Sequence, residues 1–256
     1  MSTTVRGTAA AKRTPMTPLR KKALVAGVFY LVTFISIPTL GMYSHVKNNR
    51  NFILGSGSTN AVLWGCLLEV IVGLAGIGTA VTLYPVVKRQ NESAAIGFVA
   101  SRTLEAAMIF TGVVSLMSLV ALRQTLAGSG AANAASLVAV GASHAATYKA
   151  TFLLGQTLMP GINALLLGSL MYRSKLVPRI IPTMGLIGAP LLITSTVATL
   201  VGHNSPTSAW SALATLPVAA WEFSLGVRLI VKGFNPSPIT THDAAPVAAE
   251  KQLISA

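Results

Sequence analysis

Residues 101–122 read SRTLEAAMIFTGVVSLMSLVAL. Arg102 and Glu105 open the stretch three positions apart, and no further charged residue occurs before Arg123. A run of this length and apolarity suits a helix that crosses hydrocarbon, which needs about 20 residues at 1.5 Å each. On a helix the i, i+3 spacing puts guanidinium and carboxylate on one face, where they form a charge-neutral pair. An ionised group deep in a bilayer costs about 2.5–3.5 kcal/mol on insertion scales, so it must pair or face other helices. The stretch therefore predicts a membrane helix whose polar face turns inward.

Five more runs share this character. The predicted spans are 23–44, 61–87, 95–122, 148–172, 180–201 and 209–231, all α-helical, making a six-helix bundle. The chain of 256 residues is 52% hydrophobic and 10% charged, with a mean hydropathy of +0.66. Soluble domains carry about 25% charged residues, and no ten-residue segments of alternating polarity suggest a β-barrel.

The net charge of +13 does not indicate nucleic acid, because the basic residues sit at the ends of apolar runs and form no face. Assigning the 19 Lys and Arg to the two sides places 15 with the termini and four (Lys47, Arg50, Arg123, Lys149) opposite. Both termini are accordingly expected in the cytoplasm. Residues 1–22 read as a basic disordered tail suited to anionic lipid. A signal peptide is the competing reading; the first apolar run is longer than a usual signal core, with no convincing cleavage site after it. Residues 23–234 form the membrane domain and 235–256 a second loose tail. The connection Arg123–Ala146 is read as a loop with a short interfacial helix around Asn133–Val140.

Three of the six acidic residues fall inside spans: Glu69, Glu105 and Glu222. Counting from the span ends puts Glu105 and Glu222 about 14 Å from the same side, so Arg102, Glu105 and Glu222 form the candidate polar cluster. Glu69 lies in the opposite half, where Lys149 is its candidate partner. It shares a face of small residues with Gly65, Gly73 and Gly76, which reads as packing. A third candidate site is the helix break Pro160-Gly161 in span 4, flanked by Gln156 and Asn163 on one side of the helix. Such breaks line ligand sites in some transporters and are simple kinks elsewhere.

Enzymatic motifs are missing from the sequence. There is no His-Glu-x-x-His, and His45, His144, His203 and His242 lack metal-ligand spacing. No serine is matched to a base within the spans, facing histidines for haem are not found, and no Gly-Lys-Ser/Thr accompanies Gly55-Ser56-Gly57-Ser58. The single Cys66 allows no intramolecular disulfide. No cofactor, metal or catalytic residue is assigned.

Several segments resemble one bacterial family of integral membrane proteins known only as domain of unknown function 4386. They are Leu67-Leu68-Glu69, Gly78-Thr79-Ala80-Val81-Thr82-Leu83-Tyr84-Pro85 and Arg102-Thr103-Leu104-Glu105-Ala106, then Phe152-Leu153-Leu154-Gly155, Asn163-Ala164-Leu165-Leu166-Leu167-Gly168 and Ser174-Lys175-Leu176-Val177-Pro178-Arg179. Trp221-Glu222-Phe223-Ser224-Leu225-Gly226 and Lys232-Gly233-Phe234 complete the pattern. The resemblance covers most of residues 23–235, implies a bacterial cell membrane, and supplies no activity. Two functions remain open: binding or transport of a small molecule or proton through the Arg/Glu cluster, or a structural, partner-binding subunit in which the cluster is an interhelical clamp.

Overall fold

Each hydrophobic run becomes a helix, and the helices close into a ring. The structure, a computed structural model, describes residues 16–55, 58–125 and 134–241. Among these residues there are only helices and connections. Helix α1 spans Pro18–Thr33, followed by the short α2 (Ser36–Met42), α3 (Ser44–Asn48) and a 3-10 turn (Arg50–Leu54). Then come α4 (Thr59–Val87), α5 (Glu92–Thr125), α6 (Ala134–Thr151), α7 (Met159–Ser174), α8 (Ile180–Leu200), α9 (Ala209–Val231) and α10 (Pro238–Thr241). Six segments are long and apolar enough to cross a membrane, with α1–α2 as one and α6–α7 as another. The protein is a multi-pass, all-α membrane protein.

Round the ring, α1 packs on α4, α4 on α5, α5 on the α6–α7 segment, α7 on α8, α8 on α9, and α9 returns to α1. The last seam is tight. A Cβ on Gly27 of α1 would lie 2.7 Å from the Gly226 carbonyl oxygen of α9. At its basic end, the Arg20 guanidinium donates to the Leu229 carbonyl at 2.6 Å and to that of Ile230. These are final-turn carbonyls with no partner inside their own helix, and a cation there also complements the helix dipole. Two apolar cores stack along the bundle. One gathers Ala23, Leu83, Phe98, Leu167, Trp221 and Leu229; the other gathers Tyr43, Cys66, Ile109, Leu116 and Tyr148.

Several sequence expectations need correction. The fourth span does not begin at 148. The described part of the connection, from Ala134, is already helix and runs without a loop into α7. Its Gly and Ser residues lower hydropathy, while its many Ala residues, the best helix formers, carry the helix through. Residues 126–133 lie outside the described residues. The first tail reading fails at its end, because Pro18 starts α1 and Thr17 caps it, its hydroxyl accepting from Arg20 N at 3.2 Å; residues 1–15 lie outside the description. Likewise residues 235–241 are not loose. Asn235 N donates to Leu176 O at 2.7 Å, Ser237 donates to Ser174 O, and Ser237 and Thr240 are buried. Residues 242–256 are beyond the described part.

Proline sets two irregularities. Pro38 has no N–H for the Phe34 carbonyl, and α1 ends at Thr33. Pro160 leaves the Gln156 carbonyl without its donor, and the preceding Phe152–Leu158 widens into a π-helix in which Met159 N reaches back to Leu154 O. The break predicted at Pro160-Gly161 is thus taken up one turn earlier. Gly161 itself packs on α8, where an added Cβ would meet Ile193 at 2.9 Å.

Candidate functional site

The polar interior has two levels, and α5 supplies the first. Arg102 is 2% exposed and lies where the two apolar cores meet. Its Nη1 donates to Glu105 Oε2 at 2.9 Å, as the i, i+3 spacing requires. Its Nη2 pairs with Glu222 of α9. Trp221, the preceding residue, turns instead to α8, where Gly185 leaves room for its ring; an added Cβ there would sit 2.7 Å from the indole. The three-residue cluster predicted from sequence is therefore formed. Two carboxylates share one guanidinium, so with both ionised the cluster carries one excess negative charge.

Neighbouring elements complete this level. Asn163 of α7 donates from Nδ2 to Glu105 Oε2 at 2.7 Å. The Arg102 guanidinium carbon stands 5.4 Å from the Tyr30 ring centroid and 5.8 Å from that of Phe98, within cation–π range. Beside it is a cavity of about 10 Å³, bordered by Thr33, Gly73, Gly76, Glu105 and Ile109. An added Cβ on Gly76 would meet nothing within 4 Å. That volume holds about one water molecule.

Glu69 defines the second level and is fully buried. Its Oε1 accepts from Tyr148 OH at 3.0 Å, Gln156 Nε2 at 3.2 Å and, more weakly, Thr39 Oγ1 at 3.5 Å. Lys149 is not its partner. Successive residues on a helix point about 100° apart, so Tyr148 faces the bundle and Lys149 faces out, exposed. Gln156 and Asn163 do share the inward side, yet they serve different carboxylates, Glu69 and Glu105. The α6–α7 segment thus contacts both levels, about 10 Å apart along a helix at 1.5 Å per residue. Pro160 and Gly161 contribute shape and packing, and no hydrogen bond to either carboxylate comes from them.

The small-residue face of α4 packs aromatic rings. An added Cβ on Gly65 would lie 2.5 Å from Tyr43, and one on Gly73 2.6 Å from Phe110. Tyr43 in turn meets Tyr148 edge-on at 5.1 Å. Tyr30, Tyr43, Tyr148 and Thr39 were missed in the sequence reading; tyrosines inside apolar spans were their available signal, since a buried phenol needs a partner. Replacing Tyr148 with phenylalanine should lower stability by about 1–3 kcal/mol, the cost of removing one donor from a buried acceptor. Thermal unfolding in detergent micelles will measure this, and an unchanged melting temperature would show the bond to be dispensable.

Among the described residues no group of three or more His, Cys, Asp or Glu is placed to hold a metal ion. No curated protein and no solved structure matches the chain. A family model described as "Domain of unknown function (DUF4386)" matches residues 25–233, which takes in the first span from residue 25, the other five spans whole and every residue of both polar levels. By that match the chain belongs to the DUF4386 family.

Proposed function

We propose that this protein binds a proton at the Arg102–Glu105–Glu222 cluster and couples its uptake and release to a transport or binding cycle. The observation that supports the reading is the sharing of one buried guanidinium by two carboxylates from different helices. One added proton makes the cluster neutral, and its loss restores a net charge in a low-dielectric interior. The adjacent cavity of about 10 Å³ favours a proton over a larger ligand at this position. The protein is not an enzyme in this reading, and it lies in a bacterial cell membrane with both termini in the cytoplasm, the side rich in Lys and Arg.

The same closed interior also favours a second reading, an interhelical clamp in a structural subunit. Infrared difference spectroscopy of the protein in lipid separates the two. For the proton reading, a carboxylic acid band appears on acidification and is lost in the E105Q/E222Q double variant, which remains folded. A pH step applied to proteoliposomes on a solid support gives a charge displacement that the double variant lacks. A carboxyl spectrum that is independent of pH and identical in the double variant would sink the proton reading and leave the clamp.

A further inference from the structure

A further cavity is bordered by none of the residues of the two carboxylate levels. It measures about 480 Å³, is open on one side, and is bordered by α3, the 3-10 turn, the end of α5 and the start of α6. Small-molecule sites occupy roughly 300–1,000 Å³ and are mostly apolar with a few placed polar groups. Here Phe52, Ile53, Leu119 and Val138 supply apolar wall, while Lys47 and Lys149 supply cations. No Asp or Glu borders it among the described residues. Only four basic residues were assigned to this side of the bundle. Two line the cavity, and a third, Arg123, lies 4.5 Å from the ring centroid of the wall residue Phe52.

Its height matters as much as its lining. Lys149 is 25 residues from Ser174 at the opposite end of the α6–α7 segment, about 37 Å at 1.5 Å per residue. Hydrocarbon is about 30 Å thick, so with Ser174 at one headgroup level Lys149 reaches the other. Burial lowers the pKa of Lys47, Glu69 opposes that shift, and the neighbouring Lys149 adds to it. An anion between the two ammonium groups would relieve both the burial and the repulsion.

We infer that this cavity binds a single-chain anionic amphiphile, its headgroup on Lys47 and Lys149 and its acyl chain against Phe52, Ile53, Leu119 and Val138. A small soluble anion would leave the apolar wall uncovered, and a zwitterionic lipid would bring a cation toward two lysines. The headgroup chemistry is a carboxylate or a phosphate monoanion, supplied by a free fatty acid or a lysophospholipid. The site stands independently of the proton reading, since neither Glu105 nor Glu222 borders the cavity.

The test uses the full chain in phosphatidylcholine nanodiscs with three probes of one photoreactive acyl chain: a fatty acid, a lysophosphatidylglycerol and an uncharged fatty alcohol. Peptides carrying Leu119 and Val138 should be labelled by at least one anionic probe. The K47Q/K149Q variant should reduce that labelling by about tenfold, as expected for loss of charge-assisted contacts. Lys47 is half-buried and Lys149 exposed, and the variant's melting temperature verifies that it folds. Labelling by the fatty acid alone identifies a carboxylate ligand, and labelling by the lysophospholipid identifies a phosphate. Equal labelling of wild type and variant, equal labelling by the alcohol, or no labelling of the cavity wall would each overturn the inference.

Discussion

Replacing Arg102 with methionine should destabilise the protein by about 3–5 kcal/mol, the usual cost of removing one partner from a buried ion cluster. Two carboxylates would then face one another where Arg102 now contacts both. The loss should be largely recovered in the triple variant R102M/E105L/E222L, since a well-packed apolar replacement of a buried ion cluster is often neutral or stabilising. Both values come from reversible unfolding in mixed micelles. If R102M unfolds like wild type, the guanidinium holds nothing together and the clamp component of the cluster is refuted. If the triple variant recovers stability but loses the pH-step charge displacement, stability and proton binding are separable properties of the same three residues.

The second large effect concerns the seam between the first and last spans. Gly27→Ala should cost about 1–3 kcal/mol, the range for forcing an extra carbon into a packed interior. The new Cβ would lie 2.7 Å from the Gly226 carbonyl oxygen and 3.0 Å from Ile230 N. Both are backbone atoms that no rotamer change can move, so α1 must shift away from α9. Gly97→Ala is the matched control: its Cβ would sit 3.6 Å from Leu166, an ordinary contact. That variant should be stabilised by up to about 1 kcal/mol through helix propensity. Equal melting temperatures for the two variants would show that the seam is more pliable than its geometry indicates.

The sequence was most informative where the physics is local or one-dimensional. Arg102 and Glu105 could be paired from their spacing alone, because both sit on one rigid helix. Glu222 could be added because depth along a helix follows from residue count. Glu69 and Lys149 show where that method ends: depth was adequate, but azimuth decides contact, and the inward position belongs to Tyr148. The helix before residue 148 was obscured because Gly, Ser and Thr dilute its hydropathy, while the Ala residues among them favour helix. Gln156 and Asn163 were visible as hydrogen-bonding groups on one side. Which carboxylate each meets depends on how α6–α7 lies against α4 and α5, and a single sequence does not encode that in any short-range pattern.

The closed ring has a consequence for biogenesis. Helices enter the membrane in the order of synthesis, and α5 arrives already self-neutralised by its own Arg102–Glu105 pair. Glu222 comes only with α9, the same helix that receives Arg20 and abuts Gly27. A nascent chain halted before α9 therefore presents an open flank on α1 and a guanidinium with one of its two acidic partners absent. Completion of the final span closes the flank and brings the second carboxylate to the guanidinium in one event.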